Sequence, residues 1–339
     1  MDIFGFSIQP GERLCRYIKV GELACFSDIR IPLLVARGKT AGPTLWLTGA
    51  VHGDELNGLW AMRRFFWDLD LEKLRGILVM TPLLNPLAFL AGNKVSQVDY
   101  LDMDQQFPGN PRGLYSERIP YIVFSELKQK ADYVIDFHTL GHPYSATPYT
   151  VSKIVAGASE ETIAKAFAMA RVFGVYPNCR VDVASAKGEL PGTTSGALDI
   201  LCMQHNIPCF MAEMGGGGRW DDEAINIAYR GIKNVMLYLK MLDGEYQQPG
   251  RQLIITSRGF LRSNSGGLVR MAVNPGTFVK AGELLATVYS FWEELEQLKA
   301  EQDVFVIGTR FQPVVSSGDR LAFVGYEWQE MDWGNGNGE

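Results

Sequence analysis

Up to about residue 245 the chain alternates short apolar runs with stretches of spaced apolar residues, and this alternation narrows the available folds more than any other feature. Residues 44–48 form an apolar run closed by Gly49, and residues 56–69 follow with helical spacing. Residues 77–81 read as the next buried strand, ended by Pro82, and 116–130 as a helix leading into a strand at 133–137. Helices are predicted at 160–173, 197–204 and 221–242, with a strand at 209–212 that runs into Gly215–Gly218. Strands alternating with helices predict an α/β domain whose sheet is largely parallel.

Two stretches depart from the pattern. Residues 82–115 hold prolines, glycines and polar residues without clear periodicity, and a loop region that long in a compact domain is usually functional. After Pro249-Gly250 the chain turns to short strands separated by Gly, Pro and Asn, with residues 292–299 as the single helical candidate. We therefore expect an α/β domain at 1–248, a β-rich domain at 249–328 and a flexible tail at 329–339 that includes Gly334–Gly338.

The balance of 32 Lys and Arg against 38 Asp and Glu gives a net charge of −6. Without a basic surplus, neither a phosphate-driven nucleic-acid binder nor an anionic-membrane binder is expected. No apolar run approaches the ~18 residues of a membrane span, and residues 1–7 show no secretory signal. The five cysteines are scattered and include no CxxC, so reduced thiols in a cytoplasmic protein are expected rather than a disulfide framework.

Gly49-Ala-Val-His-Gly-Asp-Glu55 lies between a strand and a helix, at the strand end where parallel α/β sheets bind ligands. His52 and Glu55, three apart, are two ligands of a His2Glu zinc site; a structural histidine beside a helix N-terminus fits equally well. Asp54, between them, is expected to point elsewhere. Val134-Ile-Asp-Phe-His138 ends a second strand in a histidine, with Asp136 on the same face by period two and able to orient a neighbouring ligand. His142 is assigned to a loop and His205 to a structural helix end. Glu213 ends a third apolar strand beside glycines that would let a ligand approach, and packing explains it poorly. A carboxylate there suits a general base. The polyglycine is not a phosphate loop, because no Gly-Lys-Ser/Thr follows.

Taken in order, His52-Gly-Asp-Glu55, Asp102–Gly109, Asp136-Phe-His-Thr139 and Glu213-Met-Gly resemble the succinylglutamate desuccinylase/aspartoacylase family of zinc amidohydrolases, relatives of the zinc carboxypeptidases. The resemblance spans residues ~30–245, and 249–328 is similar to the barrel-sandwich-like C-terminal domain of many members. It implies a mixed sheet flanked by helices. It also implies one Zn2+ on His52, Glu55 and His138, Glu213 as general base, and hydrolysis of a small N-acylated amine or amino acid. No carrier lysine stands at the turns Pro275–Glu283 or Val315–Leu321, so the β-rich domain is expected to shape the site entrance or a homo-oligomer contact.

One segment departs from the family. Members acting on N-acyl amino acids carry Asn-Arg before Phe-Pro-Gly, where the pair grips the substrate carboxylate. Here Asp104 and Gln105 occupy those positions, and Lys94 stands where an Arg often precedes them. Lys94, Asp104 and Gln105 are thus the candidate substrate-binding residues. The change alters local charge by −2, one from each position, and removes the fork that carboxylates favour. A carboxylate there is expected to be repelled and an amine, hydroxyl or neutral amide preferred. An acylated amine, or a modified amino acid whose carboxylate is absent, masked or held elsewhere, is therefore expected; Arg112 or Arg118 could restore the missing cation. The alternatives are a peptide carboxypeptidase and a non-catalytic ligand-binding relative.

Overall fold

The computed structural model describes residues 1–184, 196–247 and 249–333. The expected domain boundary at 248 and the glycine-rich end at 334–338 lie outside the described residues.

A 13-stranded mixed sheet organises the fold. At its centre run four parallel strands in the order Arg75–Thr81, Thr40–Gly49, Tyr133–His138 and Cys209–Glu213. Their alternation decides the layers. Leu45 and Leu47 pack with the helices Asn57–Asp68 and Asp222–Tyr238, whereas Trp46 packs with the helices Tyr115–Lys130 and Leu198–Gln204 on the opposite face. Both faces are covered, which is why these strands read as continuous apolar runs. Helix boundaries follow local chemistry. Ser159 accepts from Thr162 N to cap Glu160–Phe173, whose end is Gly174 at φ 92°, and Asp221 caps Asp222–Tyr238 by accepting from Ala224 N.

Antiparallel strands extend the parallel core on both sides. Asp28–Arg37 and Arg13–Glu22 add beyond Arg75–Thr81. On the other side Tyr149–Ile154 runs antiparallel to Cys209–Glu213, and Pro177–Asp182 follows it. The sheet then continues past residue 250. Arg251–Arg262 pairs in parallel with Pro177–Asp182 and antiparallel with Arg320–Asp332, so residues 329–332, expected in the tail, are paired strand. A separate four-stranded sheet comprises Glu294–Lys299, Leu284–Tyr289, Gly267–Met271 and Val314–Val315.

The helix expected at 292–299 is a correction. Glu294–Lys299 is a strand antiparallel to Leu284–Tyr289. Its Glu, Leu, Gln and Lys favour a helix in isolation, but pairing and inward alternation of Glu296 and Leu298 override that preference. No helix among the described residues is long and apolar enough to cross a membrane.

Candidate active site

The carboxyl ends of adjacent parallel strands bring three signals together. Gly49 stands opposite Phe137, and Glu213 opposite His138, so the loop after Gly49, His138 and Glu213 share one edge. The loop carrying His52 and Glu55 passes against the helix Pro86–Ala91. A Cβ at Gly53 would lie 2.0 Å from the Ala88 carbonyl carbon, so this approach requires glycine. Asn57 ties the same region to the glycine loop, donating to Met214 O at 2.9 Å and accepting from Asp221 N at 3.1 Å.

His52, Glu55 and His138 are all buried and converge, with donor atoms within 4.8 Å of one another. Nδ1 of His52 lies 2.8 Å from Glu55 Oε1, and Nδ1 of His138 lies 3.2 Å from Glu55 Oε2. The far nitrogens also meet carboxylates: His52 Nε2 is 2.9 Å from Asp102 Oδ1, and His138 Nε2 is 3.1 Å from Asp136 Oδ2. Burial opposes charge on His52, but Glu55 and Asp102 outweigh it and push the imidazole up to about 10. His138 is raised for the same reasons, by Asp136 and Glu55. Burial likewise opposes the Glu55 carboxylate, yet the two imidazoles hold it at about 2.

This donor set fits zinc. Two imidazoles and a carboxylate form the usual three-ligand catalytic set. In both histidines Nδ1 faces the common point while Nε2 sits on an aspartate, the arrangement that fixes a metal-binding ring. A second convergence, Asp104, Asp136 and His138, shares His138 with the first.

The remaining candidates line the same cavity, of about 290 Å³. Glu213 is buried, and its Oε2 has no hydrogen-bond partner among the described residues. Burial pushes its carboxyl up to about 8, with Glu55 adding to the shift while His138 and Arg258 oppose it. Asp104 is buried with Oδ1 unpartnered among the described residues, and burial raises it to about 6. Lys94 sits at the rim with Nζ 2.7 Å from Asp102 Oδ2, and Gln105 is exposed and donates to that same oxygen at 3.2 Å. Arg112 and Arg118 are exposed and do not line the cavity.

Two expectations change. Asp54 does not point away from the site: it lines the cavity and accepts from His142 N at 2.9 Å, which anchors the loop after His138. The glycines after Glu213 admit chain rather than ligand, since a Cβ at Gly216 would lie 2.0 Å from Tyr144 O. His142 lies in that loop, and His205 closes the helix Leu198–Gln204 with Nδ1 2.9 Å from Leu201 O. Sequence reasoning did not single out Tyr144, Phe260 or Arg320, which also line the cavity. No local signal marks them, because two of the three lie beyond residue 250.

Residues 41–239 match the succinylglutamate desuccinylase/aspartoacylase catalytic domain, more than half of the chain. The chain belongs to this family. Over 309 residues it is 29% identical to the N-alpha-acetyl-L-2,4-diaminobutyric acid deacetylase of Halomonas elongata, covering 89% of this chain and 87% of that protein. Product-bound ectoine utilization protein EutE (DoeB) from Ruegeria pomeroyi superposes with a TM-score of 0.84 at 27% identity, covering 95% and 98% of the two chains. The succinylglutamate desuccinylase/aspartoacylase from Rhodobacter sphaeroides gives a TM-score of 0.81 at 26% identity, covering 94% and 97%. The structural likeness takes in the β-rich segment as well as the residues that the family model matches.

Proposed function

We propose that this protein is a zinc-dependent deacylase that hydrolyses the amide of a small N-acylated amino acid bearing a second, cationic amine. The observation that carries the reading is the convergence of His52, Glu55 and His138 in one cavity with Glu213 and Asp104, whose buried carboxylates each have one oxygen without a hydrogen-bond partner among the described residues. Near-full-length similarity to a deacetylase of acetylated diaminobutyric acid supports this over a peptidase or a non-catalytic binder.

His52, Glu55 and His138 hold the metal in this reading, with Asp102 and Asp136 orienting the two imidazoles. Zinc, when bound, supplies Lewis acidity toward the amide carbonyl and acidifies water. Glu213 takes a proton from the attacking water. It returns that proton to the leaving nitrogen as the C–N bond breaks, giving a carboxylic acid and an amine. Glu213, held up to about 8 by burial in the metal-free protein, would be favoured in its charged, basic form beside a bound cation. Asp104 receives the substrate ammonium, with Lys94 and Gln105 at the rim. Its buried, unpartnered oxygen gains a partner when a cation arrives. The five free cysteines suit a reducing cytoplasm as the setting.

The test is acetate release by zinc-loaded protein from Nα-acetyl-L-2,4-diaminobutyrate, compared with N-acetylated neutral amino acids and a short peptide. Preference for the diamino substrate, lost on chelation and restored by zinc, is expected. Peptide cleavage with no deacylation would overturn the reading.

A further inference from the structure

The cavity around the three converging ligands is completed from beyond residue 250. Arg320 and Phe260 line it together with Tyr144. Arg320 opens the Arg320–Asp332 strand opposite Arg262, and here the register slips: Leu261 pairs with Ala322 but Arg262 with Arg320, which leaves Leu321 as an extra residue. A bulge of this kind breaks strict alternation and re-aims the neighbouring side chains. Leu321 goes fully into the core, while Arg320 stays at the cavity wall.

The surroundings prepare Arg320 for a planar anion. Its guanidinium carbon lies 4.4 Å from the Phe260 ring centroid, and the Tyr144 hydroxyl donates to the Arg320 carbonyl at 3.3 Å. Stacking uses the face of a guanidinium, whereas carboxylates are bound through its edge, so the two contacts are compatible. Of the other cationic candidates, Lys94 stands at the rim, and Arg112 and Arg118 lie outside the cavity. Arg320 is the arginine among the described residues that line it.

We infer that Arg320 binds the free carboxylate of the substrate, so that the β-rich segment supplies the cation that Gln105 lacks. This assignment deepens the deacylase reading and rests on it. It makes the substrate class an N-acyl amino acid held at two poles, with Asp104 at the ammonium and Arg320 at the carboxylate. Arg320 would act in specificity, without touching the scissile amide.

The experiment compares kcat/KM of zinc-loaded protein for Nα-acetyl-L-2,4-diaminobutyrate and for its α-carboxamide. Wild-type protein should prefer the carboxylate by at least about ten-fold, as expected for a charge-assisted hydrogen bond. In Arg320→Gln that ratio should fall about ten- to hundred-fold, mainly through KM of the carboxylate substrate. Arg320→Lys keeps the charge and loses the fork, so it should retain an intermediate ratio; it carries the test if Arg320→Gln does not fold. A ratio unchanged by both variants, or a wild type without preference, overturns the assignment while leaving deacylation intact. Wild-type protein that hydrolyses neither compound overturns the deacylase reading and this assignment with it.

Discussion

Nε2 of His138 lies 3.1 Å from Oδ2 of Asp136, two residues earlier on the same strand, while Nδ1 of that ring faces Glu55. Thr48 donates to the other Asp136 oxygen at 2.5 Å, which fixes the carboxylate from the neighbouring strand. An aspartate held this way sets the tautomer and raises the basicity of the opposite nitrogen. Asp136→Asn should therefore weaken zinc binding by about 10- to 100-fold in competition with a chelating dye. Unchanged affinity would show that Asp136 serves the fold alone.

Glu213→Gln keeps the shape of the side chain and removes its basicity. Turnover should fall by at least about 10²-fold while zinc content stays at the wild-type level. Wild-type rates in zinc-replete variant protein would exclude Glu213 as the base.

Zinc binding should release protons. Without a metal, His52 is pushed up to about 10 and His138 is also raised, so both imidazoles are charged at neutral pH. Coordination needs neutral rings, so zinc should displace a proton from each ring and up to one more from Glu213, which stands at about 8 without metal, and should bind more tightly as pH rises. Calorimetry in two buffers of different ionisation enthalpy measures the number; no release at pH 7 would contradict the charged-ring arrangement.

Metal-free protein should lose stability with rising pH in a defined window. Burial raises Glu213 from its ordinary 4.5 to about 8, so the folded state holds an extra proton between those values. Where the folded state binds more protons, stability falls as pH rises. The loss from Glu213 starts above about 4.5 and is complete once pH passes about 8. Glu213→Gln should flatten that part of the unfolding midpoint-versus-pH curve, and an unchanged slope would place the titration elsewhere.

Asp104→Asn preserves size and removes the charge proposed to meet the substrate ammonium. KM for Nα-acetyl-L-2,4-diaminobutyrate should rise about ten-fold or more, with little change for N-acetyl amino acids that have no second amine. An equal rise for both groups would assign Asp104 to the structure of the segment instead.

The metal and base candidates were legible because they stand at or just past the ends of apolar runs. His138 and Glu213 are the last residues of buried strands, and His52 and Glu55 lie in the loop that follows the strand ending at Gly49, places that packing alone does not explain. The strand Tyr149–Ile154 was not legible, because it buries Thr150, Ser152 and Lys153, with the lysine 2.9 Å from Asp199. Arg13–Glu22 is mostly exposed, and Pro32 interrupts the apolar alternation of Asp28–Arg37. The part played by Arg320 depends on a register slip between strands roughly sixty residues apart in sequence, and no local pattern encodes that.

The most direct measurement is anomalous diffraction at the zinc edge from crystals of the zinc-loaded protein. One peak should lie about 2.0–2.2 Å from Nδ1 of His52, a carboxylate oxygen of Glu55 and Nδ1 of His138, with Glu213 unligated in the same cavity. A peak bound through Nε2, a peak that includes Glu213 as a ligand, or zinc held elsewhere in the molecule would contradict the account.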